Sequence, residues 1–141
     1  MDIRGVNYLL VRTDGYILFQ KRCMNAKSSP GLWCIPGGGR EAGETPKQAV
    51  IREIEEETEV VVKPNECYWL TDFTYRLKDG TIAVNRVFIS FVEDARVVCH
   101  EGEEMRWMSL DEAETLELAC GENTLFPTVR EALKINRMRV S

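Results

Sequence analysis

GGREAGETPKQAVIREIEEETEV, residues Gly38 to Val60, is the stretch that decides the fold. It reads as a tight glycine turn feeding a helix. Thr45 is placed to cap that helix, Pro46 suits its first position, and Gln48 completes a Thr-x-x-Gln capping box. Downstream, Glu53, Glu56 and Glu57 recur at i, i+3 and i+4, so they share one helical face. Their Cβ atoms lie roughly 5–6 Å apart on such a face. At an effective dielectric of about 20, two bare carboxylates at that spacing repel by up to about 3 kcal/mol. A divalent cation turns this repulsion into a binding site, and a donor set of oxygens alone points to Mg²⁺ or Mn²⁺ rather than Zn²⁺. The competing reading is a solvated acidic helix face.

Working outward, the charge of the chain is concentrated in this stretch. Gly38–Val60 holds seven acidic and three basic residues, a net of −4, so the rest carries only −1 of the total of −5. No broad basic face is left to displace counterions, which argues against polymer nucleic acid as a partner. A length of 141 residues, 44% of them hydrophobic, is enough for one domain, 1–141, with its own core. The five cysteines (Cys23, Cys34, Cys67, Cys99, Cys120) are odd in number and show no CxxC spacing. They read as reduced, mostly buried thiols of a cytoplasmic protein. No stretch has the length of a signal peptide core or a membrane span, so no membrane partner is expected. His100 is the only histidine, which argues against a histidine-based triad or a multi-histidine metal site.

Before the helix, Val6–Arg12 and Tyr16–Arg22 are strand-like runs around the turn Thr13-Asp14-Gly15. The second run ends in Lys21 and Arg22, which meet either solvent or a phosphate or base. Gly31–Pro36 is a short apolar strand stopped by Gly37, Gly38 and Gly39, glycines able to bring backbone close to a ligand. After the helix, Cys67–Leu77 and Thr81–Val92 form a hairpin about Lys78-Asp79-Gly80. Its aromatics are mostly core, with one or two free to face a ligand. A last strand, Met105–Ser109, leads through Ser109-Leu110-Asp111-Glu112 into a short helix. Thr124–Asn136 is the terminal helix, with Val129 on its inner stripe. Strands flanking one central helix, followed by a C-terminal helix, fit an α/β domain with a mixed sheet.

Gly38, five residues, Glu44, seven residues and then Arg52-Glu53-Ile54-Glu55-Glu56-Glu57 resembles the signature of the Nudix hydrolases. The Trp-x-x-Pro-Gly-Gly approach at Trp33–Gly38 is similar to the family as well. One position departs: the signature ends in glycine and an aliphatic residue, whereas this chain has Glu59-Val60. A glycine there usually takes the left-handed conformation that closes a helix end. Glu59 is therefore expected either to hold that conformation under strain or to end the helix differently, and strain is the expectation because the acidic face lies upstream.

The resemblance implies a Nudix α/β/α sandwich and a Mg²⁺-dependent enzyme, with Mn²⁺ as a possible substitute, that hydrolyses a nucleoside diphosphate linked to another group. Its partner is then a small nucleotide, and the chain acts as a monomer or homodimer. Glu56 and Glu57 are implied as metal ligands, Glu53 as a ligand or general base, and Arg52 as the support of a glutamate. Glu44 is implied as a further ligand or its support. Gly37, Gly38 and Gly39 form part of the substrate cradle. Arg22 resembles the arginine of nucleotide-binding members. Family members also supply a glutamate from a loop before a tryptophan such as Trp107, for which Glu101 and Glu104 are the candidates. The compact length resembles enzymes acting on nucleoside triphosphates, including oxidised ones. ADP-ribose or nucleotide-sugar hydrolysis and dinucleoside polyphosphate hydrolysis are the alternatives. An isoprenoid diphosphate isomerase needs a larger chain, and a non-catalytic nucleotide sensor predicts loss of the glutamates, all of which are present.

Overall fold

The computed structural model describes residues 2–93 and 96–140. The run Gly5–Val11 is buried throughout, as a strand covered on both faces must be. It belongs to β1 (Ile3–Arg12), the centre of a mixed sheet. Antiparallel to β1 lie β2 (Ile17–Lys21), through Val11 and Ile17, and β4 (Gly37–Gly39). On its other side β1 runs parallel to β6 (Ile82–Val92), with Val6 opposite Arg86. β6 pairs in turn with β5 (Tyr68–Arg76). β2 also carries β3 (Trp33–Cys34) and β7 (Glu104–Met108), giving the order β3-β2-β1-β6-β5 with β4 and β7 attached to β1 and β2.

Alternate side chains of the sheet build two cores. Val6, Tyr8, Leu10 and Leu18 pack with Ala49, Val50 and Ile54 of the helix α1 (Pro46–Thr58). Leu9, Val11, Ile17 and Phe19 pack on the other face with Leu110 and Ala113 of α2 (Leu110–Glu114) and with Val129 and Leu133 of α3 (Phe126–Val140). The result is the expected α/β/α sandwich. A 3-10 segment, Ala119–Leu125, joins α2 to α3 and lies beside β3 through the pairing of Leu118 with Trp33.

The caps follow the sequence. The Thr45 side chain accepts from the Gln48 N–H at 3.1 Å, and the Gln48 side chain accepts from the Thr45 N–H at 2.9 Å. The Ser109 hydroxyl caps α2 by accepting from the Glu112 N–H. The β5–β6 turn is closed by Asp79, which accepts from the Thr81 N–H and hydroxyl. Three expectations need correction. Gly37–Gly39 is not a tight turn but a short strand, because its backbone pairs with Gly5–Asn7 of β1. The terminal helix starts at Phe126 and runs to Val140, since Cys120 and Gly121 take left-handed backbone values (φ 57° and 73°) that break helical winding before it. Of the five free cysteines only Cys34 and Cys67 are buried, whereas Cys99 and Cys120 are exposed. Among the described residues no helix is long and apolar enough to cross a membrane.

Candidate active site

Where β4 meets α1, the reason for Gly37 and Gly38 is steric, whereas a Cβ on Gly39 would meet open space. A Cβ on Gly38 would lie 2.4 Å from the Glu53 carboxylate, and one on Gly37 would lie 2.0 Å from the Val6 carbonyl oxygen. Gly38 thus lets the Glu53 carboxylate lie against the backbone of β4.

Arg52 organises the carboxylates around this contact. Its Nε and Nη2 donate to both oxygens of Glu44 at 2.7 and 2.9 Å. Nη1 donates to Glu53 at 3.0 Å and to Glu56 at 3.2 Å, and Nη2 also reaches the Gly39 carbonyl at 3.0 Å. A planar guanidinium with its donors in a fixed fork suits this task, and its charge offsets the repulsion on the helix face. The Arg52 bonds, helped by the Glu41 N–H, hold the Glu44 carboxyl down at about 2. Both Glu44 oxygens accept from Arg52, so in this arrangement Glu44 supports Arg52.

Glu57 lies deeper. It is 5% exposed and accepts from the Tyr8 hydroxyl at 2.8 Å. Burial, followed by the charges of Glu53, Glu101 and Glu56, pushes it up to about 8 against the lowering effect of that bond. Glu53 is also raised, mainly by burial, although Arg52 opposes the shift. Of the two loop candidates, Glu101 is the one whose charge reaches both Glu53 and Glu57. Glu104 is turned away on β7, ion-paired with Arg106 at 2.9 Å. Among the described residues no three acidic, cysteine or histidine side chains form a finished metal cage. Arg52 is the cation between Glu53 and Glu56 in this arrangement.

The glycine strand also forms one wall of a cleft of about 300 Å³. Arg22, Gln20, Cys34, Phe73, Tyr75 and Glu122 line it together with Gly37–Gly39. Arg22 therefore does face the cleft, with its Nε held by the Ser28 carbonyl at 2.9 Å. A chain of hydrogen bonds stiffens the floor: Tyr75 Oη donates to Asn85 Oδ1, Asn85 Nδ2 to Asn7 Oδ1, and Asn7 Nδ2 to the Ile35 carbonyl. Glu122 escaped the sequence reading. It is 7% exposed, accepts from the Ile35 N–H at 2.8 Å through Oε1, and is pushed up to about 8 by burial. An isolated acid in Cys120–Thr124 has no spacing signal, and only the chain reversal at Cys120 and Gly121 carries it inward.

The chain resembles known proteins over nearly its whole length. The family described as NUDIX domain matches residues 1–130. "Uncharacterized Nudix hydrolase YvcI" of Bacillus subtilis is 30% identical over 124 residues, 84% of this chain and 73% of its own. "Nucleoside triphosphatase NudI" of Salmonella agona is 44% identical over 48 residues, and the match spans only 34% of either protein. The crystal structure of the MutT protein from Methanosarcina mazei Go1 superposes with a TM-score of 0.79, at 26% identity, over 94% of this chain and 95% of that one. The Gly38–Val60 signature, the glycine strand against an acidic helix and these matches agree: the chain belongs to the Nudix hydrolases, enzymes that cleave phosphorus anhydrides.

Proposed function

We propose that this protein hydrolyses a nucleoside diphosphate linked to another group, with a nucleoside triphosphate as the leading substrate class, and that it needs Mg²⁺ or Mn²⁺ to do so. The observation that carries the reading is the electrostatics of α1. Glu53 and Glu57 are both raised from their ordinary values, first by burial and then by the neighbouring charges of Glu56 and Glu101, a state that a cation relieves. The donor set is all oxygen, which fits these cations. Glu56 and Glu57 are the residues that would hold the metal, joined by Glu101 from the loop. When bound, the cation supplies charge neutralisation for the diphosphate and acidifies water.

The chain's own residues account for the rest. Arg52 fixes Glu53 and Glu56 in orientation, and Tyr8 fixes Glu57. Glu53, raised and pinned beside Gly38, either joins the ligands or takes the proton of the attacking water. Gly37–Gly39 keep side chains out of the path between the acidic face and the cleft. Arg22 contributes positive charge to the cleft, Phe73 and Tyr75 offer ring surface, and Glu122 offers a hydrogen-bonding oxygen for the nucleoside.

A cleft of about 300 Å³ is at the small end for ligand sites and suits one nucleoside better than the two of a dinucleoside polyphosphate. The name of NudI, a nucleoside triphosphatase, supports the same choice. The chain's charge pattern leaves polymer nucleic acid out, and a cytoplasmic site of action fits its free cysteines.

The test is a panel of nucleoside triphosphates, ADP-ribose and dinucleoside polyphosphates incubated with Mg²⁺, with products resolved by chromatography. Triphosphate cleavage that stops with chelator and returns with Mg²⁺ or Mn²⁺ is expected. Glu56→Gln and Glu57→Gln should each lower kcat by about 10²-fold or more. Turnover that survives exhaustive chelation, or near-normal turnover in both variants, refutes the mechanism.

A further inference from the structure

The end of α1 departs from its family in a way that connects two parts of the site. Glu59 takes left-handed backbone values, φ 66° and ψ 8°, and its N–H still donates to the Glu55 carbonyl. A residue with a Cβ is disfavoured in this conformation, and the Nudix signature has glycine at the position. The side chain that creates the difficulty has a partner: the Glu59 carboxylate is bonded to Nε2 of His100, the chain's only histidine. The same loop is docked on the helix end by its backbone. The Val98 N–H donates to the Thr58 carbonyl at 3.1 Å, and the His100 N–H donates to the Glu57 carbonyl at 2.9 Å. The next residue is Glu101, whose charge acts on Glu53 and Glu57.

We propose that the Glu59–His100 pair is a latch that fastens the loop 97–101 to the end of α1 and thereby positions Glu101 against the acidic face for cation binding. The inference rests on the metal reading given above, and it makes Glu59 and His100 positioning residues. A glycine at 59 relaxes the backbone but cannot reach the loop. Glutamate gives up the relaxed backbone for a side-chain tie to the residue adjacent to Glu101. A carboxylate only accepts, so Nε2 is the donor in this tie. A merely structural reading confines the pair to stabilising the helix end, and then nothing beyond that end changes when it is cut.

The experiment measures Mn²⁺ binding by electron paramagnetic resonance on the full chain without nucleotide, alongside amide hydrogen exchange at 98 and 100. His100→Ala and Glu59→Gly should each raise the Mn²⁺ dissociation constant by about two- to fivefold, the range an exposed pair supplies. The two changes together should do no more than either alone, and exchange in the loop should quicken. His100→Gln, whose amide N–H replaces the donor, should restore most of the affinity. In a Glu101→Gln background, His100→Ala should have no further effect. Unchanged Mn²⁺ affinity in both single variants, or an effect that persists undiminished in the Glu101→Gln background, overturns the latch. A wild-type protein that binds no Mn²⁺ overturns the metal reading itself, and the latch with it. That outcome differs from wild-type affinity retained by the variants.

Discussion

The Tyr8 hydroxyl donates to Glu57 across 2.8 Å, tying the middle of the central strand to the last turn of α1. The bond favours the carboxylate, yet burial and the neighbouring acids outweigh it and leave Glu57 at about 8. In the interval from about 4.5 to about 8 the folded Glu57 keeps a proton that the unfolded chain has lost. The folded state therefore binds more protons, and stability falls as pH rises through that window. Glu122 acts in the same direction over the same window. Glu44 is held at about 2, so its own window lies lower and does not interfere. The metal-free protein should melt at a lower temperature at pH 8 than at pH 5.5. Mg²⁺ at pH 8 should recover the Glu57 share, and Glu122→Gln should flatten much of the remainder. Thermal scans in chelator that show stability rising over this range contradict the assignment.

The two wall glycines should separate stability from activity. A methyl group on Gly38 meets the far end of a flexible glutamate, whereas one on Gly37 meets backbone. Gly38→Ala should leave unfolding free energy within about 1 kcal/mol of wild type and lower kcat about ten- to a hundredfold by displacing Glu53. Gly37→Ala should destabilise by about 1–3 kcal/mol, because the β1–β4 contact must open. Denaturant titration and steady-state kinetics on both variants check the contrast, which fails if Gly38→Ala is fully active.

Glu122 should decide which nucleoside is preferred. With Oε1 taken by the Ile35 N–H, its second oxygen is the one available in the cleft. Glu122→Gln exchanges a carboxyl for an amide of the same shape, so the ranking of kcat/KM among ATP, GTP, CTP and UTP should shift by about tenfold for at least one pair. A uniform loss across all four excludes a role in discrimination.

Glu59→Gly should raise unfolding free energy by about 0.5–1 kcal/mol. Relief of the left-handed strain outweighs the loss of an exposed pair. A lower melting temperature means that the tie to His100 is worth more than the strain.

Much of the architecture was legible because it is written locally. Thr45, Pro46 and Gln48 specify the start of α1, the 3.6-residue period specifies its acidic face, and Asp79-Gly80 specifies the β5–β6 turn. The left-handed state of Glu59 was also legible, since the departure from glycine posed the question. What escaped depends on contacts distant in sequence. The parallel pairing of β1 with β6 has no local sign, and neither has the place of Gly37–Gly39 beside β1. Glu122 and the His100 partner of Glu59 are single residues whose meaning comes from the segment facing them. Glu101 and Glu104 look alike in sequence, and the structure separates them by placing Glu104 on β7, on the same strand face as its partner Arg106.

The pairing of β1 with β6 also constrains how the chain reaches this structure. Val6 lies opposite Arg86, eighty positions later, and the contact is the spine of both cores. Closing so long a loop is entropically slow compared with forming a capped helix or a tight hairpin. During synthesis α1 is therefore complete well before the strand that finishes its sheet leaves the ribosome. Until β6 arrives the nascent helix has only half a platform, its apolar stripe partly open and its glutamates already in register. The β5–β6 hairpin is then the piece that completes the platform under α1, while the opposite core waits for α2 and α3.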